Sequence, residues 1–141
     1  MKRTILSLVL VLIVGLMHFG EDSLAVTQES EDKELRALLT SRRDALTAIV
    51  VNQHARFQTG QQKFSAYADM VIEMMNVDLE LARTKKERIA IIEASLATLV
   101  DGEKSLEAKF KIGLSDSPEV LIAKAARLKV EIELYKARKA P

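Results

Sequence analysis

The chain of 141 residues contains no cysteine, which excludes disulfides, thiolate metal sites, a thiol nucleophile and a lipid-modified cysteine. Whatever it folds into stands on packing alone. Glycine (5) and proline (2) are scarce, which argues against a disordered chain or a turn-dense β-sandwich. An excess of one charge is missing as well. Lys plus Arg (21) against Asp plus Glu (20) leaves no net field to hold a polyanion by counterion release, so nucleic acid is not expected as a partner. There is no Gly-rich phosphate loop and no Gly-x-Ser-x-Gly elbow around any serine.

What is present is 48% apolar and 29% charged residue, the balance of amphipathic helices, in one domain's length. The first residues have the plan of a secretory signal: Lys2 and Arg3, an uncharged and mostly apolar run from 5 to 19, then Glu21 and Asp22. Ser23-Leu24-Ala25 puts small residues at the minus-three and minus-one positions of a cleavage site, so residues 1–25 are predicted as a signal peptide and Val26 as the mature start. An uncleaved anchor is the alternative, since a helix from 4 to 20 just reaches across a bilayer. Either way the body lies outside the cytoplasm, in the periplasm or cell envelope.

After a polar segment at 26–34, apolar residues recur at three-and-four spacing in four stretches. The first, about 31–58, carries Leu35, Leu38, Leu39, Leu46, Ile49, Val50 and Phe57, and Gly60 follows where a left-handed helix cap is wanted. The second, about 62–82, carries Phe64, Tyr67, Val71, Met74, Met75 and Leu79 on its expected inner face. Thr84-Lys85-Lys86-Glu87 fits a capping box and starts the third. That helix has a heptad of Ile89, Ile92, Leu96, Leu99, Glu103, Leu106 and Phe110, broken only by Glu103, and Gly113 closes it. Ser117-Pro118 is read as a cap followed by proline at the first helical position, and Leu121, Ala125, Leu128, Ile132 and Tyr135 as the inner face of the fourth helix.

A shift of 53 residues lays Ala55-Arg56-Phe57-Gln58-Thr59-Gly60 over Ala108-Lys109-Phe110-Lys111-Ile112-Gly113, and Val77-Asp78-Leu79-Glu80-Leu81 over Val130-Glu131-Ile132-Glu133-Leu134. With connections this short, the expected fold is all-α. It is an antiparallel four-helix arrangement of two long coiled-coil hairpins, about 31–82 and about 85–139, forming a tandem-hairpin domain at 35–139. Both Phe-x-x-Gly turns then fall at one end.

The second turn, Ala108-Lys109-Phe110-Lys111-Ile112-Gly113-Leu114-Ser115 with Glu119-Val120-Leu121-Ile122-Ala123 after it, resembles the periplasmic hairpins of the TolC family of outer-membrane efflux channels. The resemblance implies that Phe110, Ile112, Gly113 and Leu114 form a hairpin tip that meets an envelope protein, such as the adaptor of an efflux pump. Phe57 and Gly60 mark the other copy. The family places barrel strands between its two hairpins, whereas here two or three residues join the second helix to the third, so the pore does not carry over.

No side chains converge for catalysis, and neither an enzyme nor a cofactor is expected. His54, the one histidine beyond the leader, has Val50, Val51, Phe57 and Gln58 as helical neighbours, none a metal ligand partner. Met70, Met74 and Met75 read as core filling, with a soft copper(I) site as the alternative. That alternative belongs to a second functional reading, a small metal-responsive or chaperone-like periplasmic protein. Arg42-Arg43 reads as a solvated helix face. Pairs such as Asp78/Glu80 and Glu131/Glu133 diverge on a helix. Each hairpin is thin, which leaves a homo-oligomer open.

Overall fold

Helix runs through the stretches of three-and-four spacing and breaks at both predicted glycines. The computed structural model of the protein has four α-helices, α1 (Lys2–Gln58), α2 (Phe64–Leu81), α3 (Lys85–Lys111) and α4 (Ser117–Lys139), with no strand among the described residues. The fold is all-α. The structure describes residues 30–140; ahead of them only the helical trace of α1 is given. The leader at 1–25, its cleavage site and the start of the polar segment lie outside the described residues. Among the described residues no helix is long and apolar enough to cross a membrane.

By contacts the chain divides into Met1–Leu38 and Leu39–Pro141. In the first unit, residues 30–34 are helical, so the acidic end of the polar segment is already part of α1, as the expected start near 31 implies. Glu and Lys are good helix formers and need no apolar face to continue a helix. The second unit holds the end of α1 and all of α2, α3 and α4.

Thr84 caps α3 as its sequence requires: its hydroxyl accepts from the Glu87 amide at 3.1 Å, and the Glu87 carboxylate accepts from the amides of Arg83 at 2.7 Å and Thr84 at 3.2 Å. Those amides, Arg83's first, hold the Glu87 carboxyl below its ordinary range. A depressed carboxyl stabilises the fold above its unfolded pKa and loses that contribution as the pH falls through the folded value. The Tm advantage of the wild type over Glu87→Gln is therefore expected to be full at neutral pH and to shrink below about pH 4. Thermal melts at stepped pH check this; a constant difference from pH 7 to 3 would contradict it.

The start of α4 corrects the sequence reading by one residue. Asp116, not Ser117, is the cap, its carboxylate accepting from the Glu119 amide at 2.9 Å, and Ser117 and Pro118 lie in the first turn. Both residue types cap well; the carboxylate adds its charge to the positive end of the helix dipole.

The core of the second unit is in two parts joined by α2. Phe57, Phe64, Tyr67, Ala68, Val71, Met75, Ile92, Leu99, Leu106, Ala123, Val130 and Leu134 form the larger. Leu39, Leu46 and Val77 form the smaller, with Met70, Met74 and Leu81 packed on it. Positions 70, 74, 77 and 81 of α2 are thus a second inner stripe, facing α1, beside the one that faces α3 and α4. Each fully buried aliphatic contributes on the order of 1.5–3 kcal/mol.

On α4 the expected inner face is overturned. Leu121, Leu128, Ile132 and Tyr135 are 62%, 41%, 54% and 66% exposed, while Ala123, Val130 and Leu134 are buried and Val120, Ala126 and Ala137 pack beside them. Two stripes compete on this helix. The alanines of the buried one let α4 approach α3 closely, a gain that large residues at those positions would forfeit. The 53-residue repeat also recurs in the core: Leu39 and Ile92, Leu46 and Leu99 on α1 and α3, and Val77 and Val130 on α2 and α4, are buried pairs at that offset.

Candidate functional site

The two glycine turns have one backbone design. Gly60 and Gly113 take φ of 74° and 75°, values open to glycine and strained for other residues. After α1, the Gln61 amide bonds the Arg56 carbonyl at 2.8 Å and the Gly60 amide the Phe57 carbonyl at 3.1 Å. After α3, the Leu114 amide bonds Lys109 at 2.8 Å and the Gly113 amide bonds Phe110 at 3.0 Å. Both are Schellman motifs, with phenylalanine at the same position.

Two charges tie the turns together. Lys109 of α3 donates its Nζ–H to the Phe57 carbonyl at 3.2 Å and lies 4.4 Å from the centre of the Phe57 ring, a cation on the negative end of α1. Glu119 of α4 accepts the Phe64 amide at 2.9 Å, an anion on the positive end of α2, whose own cap position, Lys63, offers no side-chain bond. Ser115 steadies the other Glu119 oxygen at 3.2 Å. Each loose helix end of the first turn is thus satisfied by the second.

Beneath the turns Phe57, Phe64 and Tyr67 pack ring on ring, with centroids 5.3 to 6.0 Å apart. Burial pushes the Tyr67 hydroxyl pKa up. Phe57, expected as a tip contact, is 2% exposed and belongs to the core. Its repeat counterpart Phe110 is 48% exposed, and Ile112 and Leu114 are 70% and 73% exposed. The structure therefore brings Phe57, Gly60 and Leu114 around one notch with Lys109 and Glu119, while Phe110 and Ile112 stand outside it. The notch, about 190 Å³, is below the size of small-molecule sites and suits a single side chain.

The remaining candidates do not gather. His54 lies 5.3 Å from the Tyr67 ring and shares a hydrogen bond of 3.1 Å with the Gln58 amide. Met75 packs in the larger core, whereas Met70 and Met74 lie on the smaller one, where Thr47 donates to the Met74 sulfur at 3.8 Å. Arg42 and Arg43 pair with Glu73 and Asp78 of α2.

Two arrangements escaped the sequence reading. Glu103, taken as a break in a heptad, is buried and paired with Arg127, which also bonds Glu131 at 2.6 Å. Gly102 is buried against the Phe64 ring. A charge on a seam hints at a buried partner, but its position 24 residues away does not follow from local spacing.

Packing and turns thus define an all-α protein with a paired-turn surface. No protein-family model, curated protein or solved structure matches the chain.

Proposed function

We propose that the protein is a non-catalytic interaction module of the cell envelope, exported through its leader, which binds an envelope protein through the tip around Gly113. The observation that carries this reading is the apolar trio of Phe110, Ile112 and Leu114, exposed on a turn that is rigid by construction. Rigid, exposed apolar anchors lose little entropy on docking, the property expected of a binding hot spot. The resemblance of this turn to TolC-family hairpins supports an efflux adaptor as the partner class.

An antiparallel pair of hairpins, α1 with α2 and α3 with α4, belongs to the same reading. Its support is the order of the cross-helix contacts: Arg43 meets Asp78 and Phe57 meets Phe64, while Glu93 meets Arg138 and Glu103 meets Arg127. In each pair the partner number falls as the first rises. Such hairpins give long levers with a small, firm end.

A photo-crosslinking residue at Ile112 in the producing cells is expected to trap one envelope protein, and the same residue at Lys86, beside the α2–α3 connection, to trap none. Adding Leu114→Asp should abolish the adduct. Equal trapping from both sites, or an adduct indifferent to Leu114→Asp, would reject the tip as the binding surface. Fractionation of the same cells, with sequencing of the mature N-terminus, is expected to find the chain outside the cytoplasm and starting at Val26.

A further inference from the structure

The face of α4 that packing leaves bare is the face that the repeat covers elsewhere. Counting 53 residues back from Leu121, Ala125, Leu128 and Ile132 reaches Ala68, Ile72, Met75 and Leu79 on α2. Ala68 and Met75 are 2% and 3% exposed, and Ile72 and Leu79 pack against the same core, because α3 and α4 lie over α2. Their α4 counterparts keep the apolar pattern without the cover. In stacked repeats each unit buries its face on the next, and an outer repeat that stays single has a polar outer face; α4 has an apolar one.

We propose that a second copy of the chain supplies the missing cover, its α4 packing antiparallel on this α4 about a twofold axis. The stripe steps by 4, 3, 4 and 3 from Leu121 to Tyr135, which is the seam of a coiled coil. In the antiparallel register Leu121 meets the partner's Ile132 and Ala125 meets the partner's Leu128, and the twofold axis repeats both contacts. Charge selects this register. Lys124 and Glu131, both exposed, flank the seam, and each Lys124 falls beside the partner's Glu131. Glu131 already takes one Arg127 bond through Oε2 and has a second oxygen to offer. A parallel pair would instead set Lys124 beside the partner's Lys129, a repulsion that cancels the Glu131–Lys136 contact it would gain, whereas the antiparallel pair has the attraction alone. In this register the two α4 helices overlap from Ser117 to Lys136, a contact about 30 Å long.

Sedimentation of the protein as isolated from its producing cells, from micromolar to submillimolar concentration, reads this directly. The expected result is a reversible dimer. Leu128→Glu and Lys124→Glu should each weaken it by about tenfold or more. Lys124→Glu mixed with Glu131→Lys should form a heterodimer, and the double variant K124E/E131K should regain the wild-type constant. All these positions are exposed, so circular dichroism should find every variant folded. A monomer at every concentration overturns the proposal, as does tighter association in Lys124→Glu, the signature of the parallel pair. An open series of larger species also overturns it. Ile112→Asp leaves the dimer unchanged, so failure here and failure of the tip reading are told apart.

Discussion

Replacing Arg127 by methionine is expected to lower the unfolding free energy by about 3–5 kcal/mol, a large share of the roughly 5–15 kcal/mol of an ordinary domain. Arg127 reaches Glu103 through its Nε, and the two side chains are 22% and 10% exposed. Desolvation has already been met for both charges in the folded state. Methionine would fill the arginine's stem but leave the Glu103 carboxylate without its counter-charge, and an unpaired buried carboxylate is the costly state. The Arg127–Glu131 pair lost at the same time is exposed and contributes only about 0.3–0.5 kcal/mol.

The repeat supplies the rescue. Fifty-three residues before Glu103 and Arg127 stand Val50 and Met74, half-buried and apolar. The double variant E103V/R127M gives α3 and α4 the residues of α1 and α2 at those positions, and such exchanges of a buried ion pair for apolar groups are often neutral or stabilising. Urea denaturation at 25 °C should place the double variant near the wild type and Arg127→Met far below it. A loss under about 1 kcal/mol in the single variant, or a double variant as weak as the single, would mean that the pair is solvated.

The second large effect lies where α2 meets α3. A Cβ on Gly102 would stand 2.1 Å from Cε2 and 2.7 Å from Cζ of Phe64, distances no packed structure holds. Phe64 is 0% exposed and has Phe57 and Tyr67 against its ring, so it has nowhere to turn. Phe64→Ala is expected to cost about 3–5 kcal/mol by opening a cavity. Gly102→Ala carries an overpacking cost of about 1–3 kcal/mol, set against about 1 kcal/mol of helix propensity gained. In the Phe64→Ala background the steric cost vanishes and only the propensity remains, so the same Gly102→Ala change should stabilise. That reversal of sign in a double-mutant cycle is the measurement. Additive effects would show that ring and glycine are not coupled.

The hollow at Gly102 also bears on the tip. Phe64 is the first residue of α2, its amide is held by Glu119, and its ring is fixed over Gly102. The start of α2 is thereby anchored to both α3 and α4. Loosening either contact should increase motion at the Gly60 turn before it affects the far end at the Thr84 cap.

Much of this was legible in residue order because the signals are local. A glycine with positive φ ends a helix, and Gly60 and Gly113 do so within the residues that surround them. Thr84 and Glu87 are three apart, and their reciprocal bonds close without help from the rest of the fold. Ser117 yielded to Asp116 because two good caps stood side by side, and a one-residue shift costs the helix little.

Residue order by itself thus determined that the chain is helical, where its turns fall and that two of those turns repeat, since backbone torsion and bonds between near neighbours decide all three. Only the tertiary structure decided which way the helices face. Leu121, Leu128 and Ile132 form as regular a stripe as any buried one, yet they lie outward because the alanines of the rival stripe let α4 settle closer on α3. Phe57 is core and its twin Phe110 is surface, because Phe57 meets Phe64 and Tyr67 while Phe110 stands open to solvent. Glu103 is tolerated because Arg127 arrives from another helix, and Gly102 is needed because Phe64 does. Burial depends on what packs against a residue, and that neighbour lies across space, not along the chain.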